Sequence, residues 1–175
     1  MKKIRLFLSI IIFFIFTSCG YEPIYSKNVG SNKELLSISV KNIKDRSGQI
    51  LRNSLLNQLN PEKERVIIKY KLTVEISESR SDLAYRKDMS ATRADLRVTA
   101  NYLLKDIKNG EILLKQEAKS IASFDVVESV YATLIAEKDV REKNLKVISN
   151  DIYTNLVIFF KNKFLDFIFL VLRSL

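Results

Sequence analysis

Cys19 is the only thiol in a sequence of 175 residues that contains no histidine. Those two facts remove much familiar chemistry. Without imidazole there is no His-based triad, no His metal site and no imidazole acid–base catalysis. A single thiol builds no thiolate zinc site and closes no disulfide within its own chain. The sequence has four glycines, and none of them forms a phosphate-cradling loop. Carboxylates are plentiful but dispersed, among them Asp45, Asp82, Asp88, Asp95, Asp106, Asp125 and Asp139. A glycosidase needs two that face each other across a bond, and nothing in the spacing selects such a pair. The chain reads as a non-enzyme with no cofactor and no metal.

What Cys19 can do is set by its neighbours. Lys2, Lys3 and Arg5 form a basic head, Leu6 to Phe16 is apolar apart from Ser9, and Thr17-Ser18 leads into the cysteine. That order describes a secretory signal. The apolar run is short of the roughly 20 residues a membrane span wants. The Phe16-Thr17-Ser18-Cys19 sequence is similar to a lipobox, although that motif usually has Leu where Phe16 stands. In a bacterial lipoprotein signal the thiolate is the nucleophile that takes the lipid, and Cys19 becomes the first mature residue. Each buried methylene of an acyl chain contributes about 0.8 kcal/mol to anchoring. The plainer alternative is an uncut signal anchor with an incidental cysteine.

Charge points to the kind of partner. The whole chain is +9, and loss of residues 1–18 removes three basic side chains and no acidic ones, leaving about +6. An exported lipoprotein rarely meets nucleic acid, so anionic lipid or lipopolysaccharide is the expected acidic partner. Arg80, Arg86 and Lys87 fall in a polar stretch, with Arg93 and Arg97 on the wet face of a neighbouring strand. Guanidinium forks suit the phosphates of an anionic glycolipid. Asp82, Asp88 and Asp95 are the alternative partners, as ordinary surface pairs worth about 0–1 kcal/mol each.

The elements that must position these residues follow from periodicity. Residues 19–34 are polar, with Pro23 and two glycines, and read as a tether whose Tyr21–Tyr25 segment could dock extended. Leu36–Lys41 alternates as a first strand, and Asp45–Gln49 is a turn in which Gly48 permits a tight approach. A helix is expected over about 48–59, with Leu51, Leu55 and Leu59 on one face and Pro61 ending it. Val66–Ser77 is the clearest strand, with Ile68, Tyr70, Leu72, Val74 and Ile76 on one side. Residues 78–92 read as a loop, in which Leu83–Tyr85 could extend a strand. Ala94 to Leu104 alternates again, Asn109-Gly110 supplies a hairpin turn, and Ile112, Leu114, Ala118, Ala122 and Phe124 share one phase of a returning strand. From about Thr133 the period becomes helical, with Val140, Ile148, Ile152 and Leu156 in line. The expected fold is α+β: a two-layer sandwich, two helices packed on one face of a four-stranded mostly antiparallel sheet. The domain spans 35–160 between the 1–18 signal, the 19–34 tether and an apolar tail, 161–175. Lys161, Lys163 and Asp166 interrupt that tail, at roughly 2.5 to 3.5 kcal/mol each near a bilayer centre, so a single pass is not expected. Phe164–Leu172 should dock on protein or lie in an interface.

Three segments carry a family resemblance: Cys19-Gly20-Tyr21-Glu22-Pro23-Ile24-Tyr25, Asp45-Arg46-x-Gly48-Gln49-x-Leu51-Arg52-Asn53, and Tyr131–Glu142 at the start of the last helix. In their order and spacing they resemble the LPS-assembly lipoprotein family (LptE) in its alphaproteobacterial form, from the signal to about Phe160. The resemblance implies a lipoprotein of the Gram-negative outer membrane, palmitate-anchored through Cys19 on the periplasmic face. It further implies a domain that plugs an LptD-type β-barrel, helps it assemble and contacts lipopolysaccharide in transit. No aspartate retention signal follows Cys19, which is compatible with that sorting. The tail after Phe160 is outside the family pattern. Arg80, Arg86, Lys87, Arg93 and Arg97 are candidate lipopolysaccharide contacts from charge and position alone. The competing reading is an auxiliary lipoprotein of an inner-membrane ABC-type transporter, and a lipid-anchored hydrolase is the least supported.

Overall fold

The computed structural model describes the backbone of residues 31–85 and 91–173, and side chains over 33–83 and 92–163. Elements run in the order α1 (Ser31–Leu36), β1 (Ile38–Val40), α2 (Asp45–Leu59), β2 (Tyr70–Tyr85), β3 (Ala91–Asp106), β4 (Ile112–Asp125) and α3 (Val130–Arg173). The sheet order is β1-β2-β3-β4, with β1 parallel to β2 and the other pairs antiparallel. Helices α2 and α3 pack on one face of the sheet, so the expected two-layer α+β sandwich is the fold.

The dry face is set by alternation. On β3, Ala94, Leu96, Val98, Ala100, Tyr102 and Leu104 are all buried, and Tyr70, Leu72 and Val74 join them from β2. Leu51, Leu55 and Leu59 close on this surface from α2; Val140, Leu145, Ile148, Ile152, Leu156 and Phe160 do so from α3. Apolar burial of this kind contributes roughly 1.5–3 kcal/mol per large side chain and is what holds two layers together. Two buried polar side chains of α3 are satisfied. Asn144 donates from Nδ2 to the Leu96 carbonyl at 2.9 Å and accepts from Ser120 Oγ at 2.8 Å. Ser149 Oγ accepts from Gln58 at 2.9 Å, tying α3 to α2.

The corner between β1 and α2 shows why its glycine is needed. A Cβ on Gly48 would lie 2.7 Å from Ile43 Cγ2 and 2.9 Å from the Ile43 carbonyl carbon. Asp45 turns the chain with φ 64°, a left-handed conformation that Asp tolerates better than most residues. Arg52 Nε then donates to the Val40 carbonyl at 3.3 Å, fastening helix to strand. Asn60 closes α2, exchanging hydrogen bonds of 2.9 Å between its side chain and the Glu64 backbone just past Pro61.

Four expectations need correction. Residues 66–69 are not strand, since β2 begins only at Tyr70, where pairing with β1 and β3 starts, and Ile68 is left exposed. Residues 78–82 and 91–92 are strand, not loop, and Leu83–Tyr85 does extend β2, because β2 and β3 each run for 16 residues and pair almost to their tips. Ile112 does not share the inward phase of Leu114. A bulge pairs Leu104 with Leu114 but Lys105 with Ile112, leaving Leu113 extra and Ile112 exposed. Leu36 ends a short helix instead of starting a strand, and β1 keeps only three residues. The Asn109-Gly110 turn is present, with Gly110 at φ 71° and its N–H bonded to Asp106 O at 3.0 Å. Helix α3 is one element of 44 residues, continuing to Arg173. No described helix is long and apolar enough to cross a membrane.

Candidate functional site

Strand parity separates the five basic side chains expected to meet an anion. Arg86 and Lys87 lie outside the described residues, as does Cys19. Arg80 is in phase with Tyr70, Leu72 and Val74 and therefore belongs to the helix-facing side of β2. It donates from Nη1 to Glu137 Oε2 on α3 at 3.1 Å, its Nε lies 3.4 Å from Asp82 Oδ1, and its guanidinium sits 5.3 Å from the centre of the Phe124 ring. Glu137 Oε1 also accepts from Arg141 Nη2 at 2.6 Å, while Arg141 Nε donates to Glu78 Oε2 at 2.8 Å. Two arginines and two glutamates thus alternate in a ladder that binds the far half of β2 to the first turns of α3. The Glu78 bond makes Arg141 hold its proton more tightly than usual, supported by Glu137 and opposed by burial.

Arg93 and Arg97 are on the opposite, helix-free face, alternating with buried Ala94, Leu96 and Val98. Arg93 is registered against Asp125 on β4, and Arg97 against Ile121 on β4 and Ser79 on β2. Both are exposed, and among the described residues neither forms an ion pair. Lys71, Lys105, Lys115 and Lys119 share this face with Glu75, Glu117, Asp125 and Asp95, which lies between Arg93 and Arg97 and accepts from Ser123 Oγ at 2.6 Å; Lys119 pairs with Glu117 at 2.7 Å. The open face therefore presents exposed guanidinium groups on a rigid strand, whereas Arg80 is already committed to protein partners. The structure puts Arg93 and Arg97 on one face of the sheet and Arg80 on the other.

A second charged cluster sits at the other pole, where β2 begins. Lys69 Nζ donates to Glu34 Oε1 on α1 at 2.9 Å, and Lys163 of α3 stands 5.9 Å over the Tyr70 ring. Tyr70 also packs against Phe160, with ring centres 5.1 Å apart. Burial, then the neighbouring Glu34, pushes the Tyr70 phenol up to about 12. Burial would raise the Glu34 carboxyl, but Lys69, the Tyr70 hydroxyl and Lys163 together hold it below its ordinary value. Its Oε2 is buried without a hydrogen bond of good geometry, so the coupling to Tyr70 is electrostatic more than directional. The cluster fastens α1 to the sheet. It offers no acid–base pair near neutral pH.

Sequence reasoning missed Glu78, Glu34 and Lys69, and the reach of Arg141 across to Glu78. The Glu137–Arg141 spacing was visible as a helical pair, and Glu78 and Arg80 continue the even-numbered phase of Val74 and Ile76. That phase was the available signal for the ladder. A groove of about 580 Å³ opens beside the corner, lined by Ile43, Asp45, Gly48, Val74, Ile76 and Glu78, and includes none of the expected basic residues. Among the described residues no group of three or more His, Cys, Asp or Glu could hold a metal.

No protein-family model matches the chain. An uncharacterized protein of Rickettsia prowazekii is 27% identical over 154 residues, covering 88% of this chain and 96% of that one. The crystal structure of a candidate lipoprotein from Caulobacter crescentus superposes with a TM-score of 0.62 at 26% identity, over 77% of this chain and 98% of its own. A minor lipoprotein from Acinetobacter baumannii follows at TM-score 0.55 and 16% identity, over 69% and 90% of the two chains. An uncharacterized lipoprotein B from Nitrosomonas europaea reaches 0.52 at 14% identity, over 72% and 88%. These relatives are described as lipoproteins or left uncharacterized, not as enzymes. The α+β fold of this chain is thus shared with several bacterial lipoproteins.

Proposed function

We propose that this chain is the lipid-anchored subunit of the outer-membrane lipopolysaccharide translocon. Acylated Cys19 holds it on the periplasmic face of the outer membrane. The domain plugs an LptD-type β-barrel and assists its assembly, and lipopolysaccharide meets the basic open face of the sheet. The observation that carries the reading is the conjunction of a lipoprotein-type start with a domain whose fold recurs in bacterial lipoproteins. The family-like segments acquire physical roles in it. Asp45–Asn53 is the strand-to-helix corner built around Gly48, and Tyr131–Glu142 supplies the α3 half of the ion-pair ladder. Arg93 and Arg97 are the side chains best placed to meet phosphate, with Arg86 and Lys87 in the intervening connection.

Depletion of the protein in its native bacterium tests this reading. The expected result is loss of correctly assembled barrel and lipopolysaccharide held back from the cell surface. Normal surface lipopolysaccharide after complete depletion would overturn it.

A further inference from the structure

The pole where β2 begins gathers features that neither the fold nor the proposed function uses. Ile67 is 85% exposed, and Ile107 and Ile112 are each about half exposed, at 51% and 52%. They are neighbours: Ile107 N–H bonds the Lys69 carbonyl at 2.9 Å, and Lys105 is paired with Ile112 across the β3–β4 hairpin. Helix α3 passes the same place, since Lys163 stands over Tyr70 and a shallow cleft is shared by Glu111, Ile112, Phe159 and Lys163. Beyond Lys163 the helix continues to Arg173, about 15 Å further at 1.5 Å per residue. The sequence of that extension, Phe164-Leu165-Asp166-Phe167-Ile168-Phe169-Leu170-Val171-Leu172, has one charge in nine residues. The last strongly buried core residue described is Phe160.

The amino-terminal attachment reaches this pole too. Helix α1 is fastened there by Glu34 to Lys69, and residues 19–30 before it span at most about 40 Å when extended. An acyl group on Cys19 therefore places the leaflet within reach of the α3 extension.

We infer that residues 164–172 form a second membrane contact, a helical turn set buried at the headgroup–acyl boundary of the leaflet that holds the Cys19 lipid. Nine helical residues measure about 13.5 Å, less than half of a hydrocarbon core of about 30 Å, so the segment cannot span. Lys161 and Lys163 at one end and Arg173 at the other bracket it with cations at headgroup level, where phospholipid phosphates sit. Exposed Ile67, Ile107 and Ile112 form the adjoining apolar rim of the domain. Glu34, Asp106 and Glu111 lie at the same pole and reduce its positive charge, so apolar burial is the main attraction and anionic lipid a modest addition. This contact shares only the Cys19 anchor with the proposed function and needs no barrel partner.

The sequence contains no tryptophan, so one introduced indole is an unambiguous reporter. Full-length lipidated protein carrying Phe167→Trp, and separately Phe169→Trp, is reconstituted into phosphatidylethanolamine–phosphatidylglycerol vesicles with and without brominated acyl chains. The expected result is blue-shifted emission quenched several-fold more by bromines near the headgroups than by bromines near the bilayer centre. Emission at the solvent wavelength would overturn the inference. So would blue-shifted emission that brominated lipid leaves unquenched, which would place the segment against protein. Either failure leaves the translocon reading intact, because barrel assembly is scored separately by depletion.

Discussion

Replacing Gly48 by alanine inserts one methyl group where the β1–α2 corner has no room. Its Cβ would stand 2.7 Å from Ile43 Cγ2, a side-chain contact that a rotamer change could relieve on a surface. It would also stand 2.9 Å from the Ile43 carbonyl carbon, which no rotamer moves. Ile43 is only 4% exposed and packs in the core, so the strand-to-helix connection must shift as a unit. Overpacking of this kind costs typically 1–3 kcal/mol. Alanine recovers about 0.8–1.0 kcal/mol of helix propensity at an interior position. The net expectation is destabilisation of up to about 2 kcal/mol, or up to roughly 8 °C in Tm for a domain of this size. Urea unfolding followed by circular dichroism measures it, with Gly110→Ala as the comparison. Gly110 has φ 71° and nothing within 4 Å of a methyl placed on its Cα, so its penalty is backbone strain alone, and Gly110→Asn should recover much of it. Gly48→Asn should recover nothing. A Gly48→Ala protein more stable than the parent by about the full propensity gain would refute the steric account, since propensity would then be the only term acting.

Asn144→Leu should cost about 1–3 kcal/mol despite its apolar volume, because the Ser120 hydroxyl and the Leu96 carbonyl lose their shared partner; thermal denaturation reads it directly. The Glu34–Tyr70 cluster predicts a plateau of stability with pH. Glu34 is held below its ordinary value, so its contribution is present above the unfolded carboxyl value and is lost as pH falls through the lower folded one. Tyr70 is raised to about 12, so its contribution is full below its unfolded value near 10 and fades as pH rises from there towards 12. Tm measured against pH should show both flanks, and Glu34→Gln should flatten the acid one. Cys19→Ala should block acylation and release or mislocalise the protein with its domain still folded; membrane fractionation with circular dichroism of the product checks both halves. Arg93→Glu with Arg97→Glu should weaken lipopolysaccharide capture several-fold, while Arg80→Met should instead lower stability, a contrast read by binding and melting on the same proteins.

The alternation on β3 was legible because every second residue from Ala94 to Leu104 is apolar, and all six are buried. The outer half of β2 was not. Its helix-facing positions are Glu78, Arg80 and Asp82, and charged residues that pair across layers leave no hydrophobic period to read. The same gap blurred the candidate site. Read as a loop, the segment allowed Arg80 to be grouped with Arg93 and Arg97; as paired strands, it puts them on opposite faces. Ile112 was misplaced for a local reason, since one bulged residue reverses the side-chain phase on either side of it. The corner glycine was legible from its motif, but the contact that requires it, with Ile43, appears only when the chain folds back.

The translocon reading is tested most directly by purifying the tagged, full-length protein from detergent-solubilised outer membranes and identifying every companion by mass. A large β-barrel protein in about one-to-one ratio is the predicted companion. Recovery without a barrel, or with an inner-membrane permease in its place, would contradict that reading.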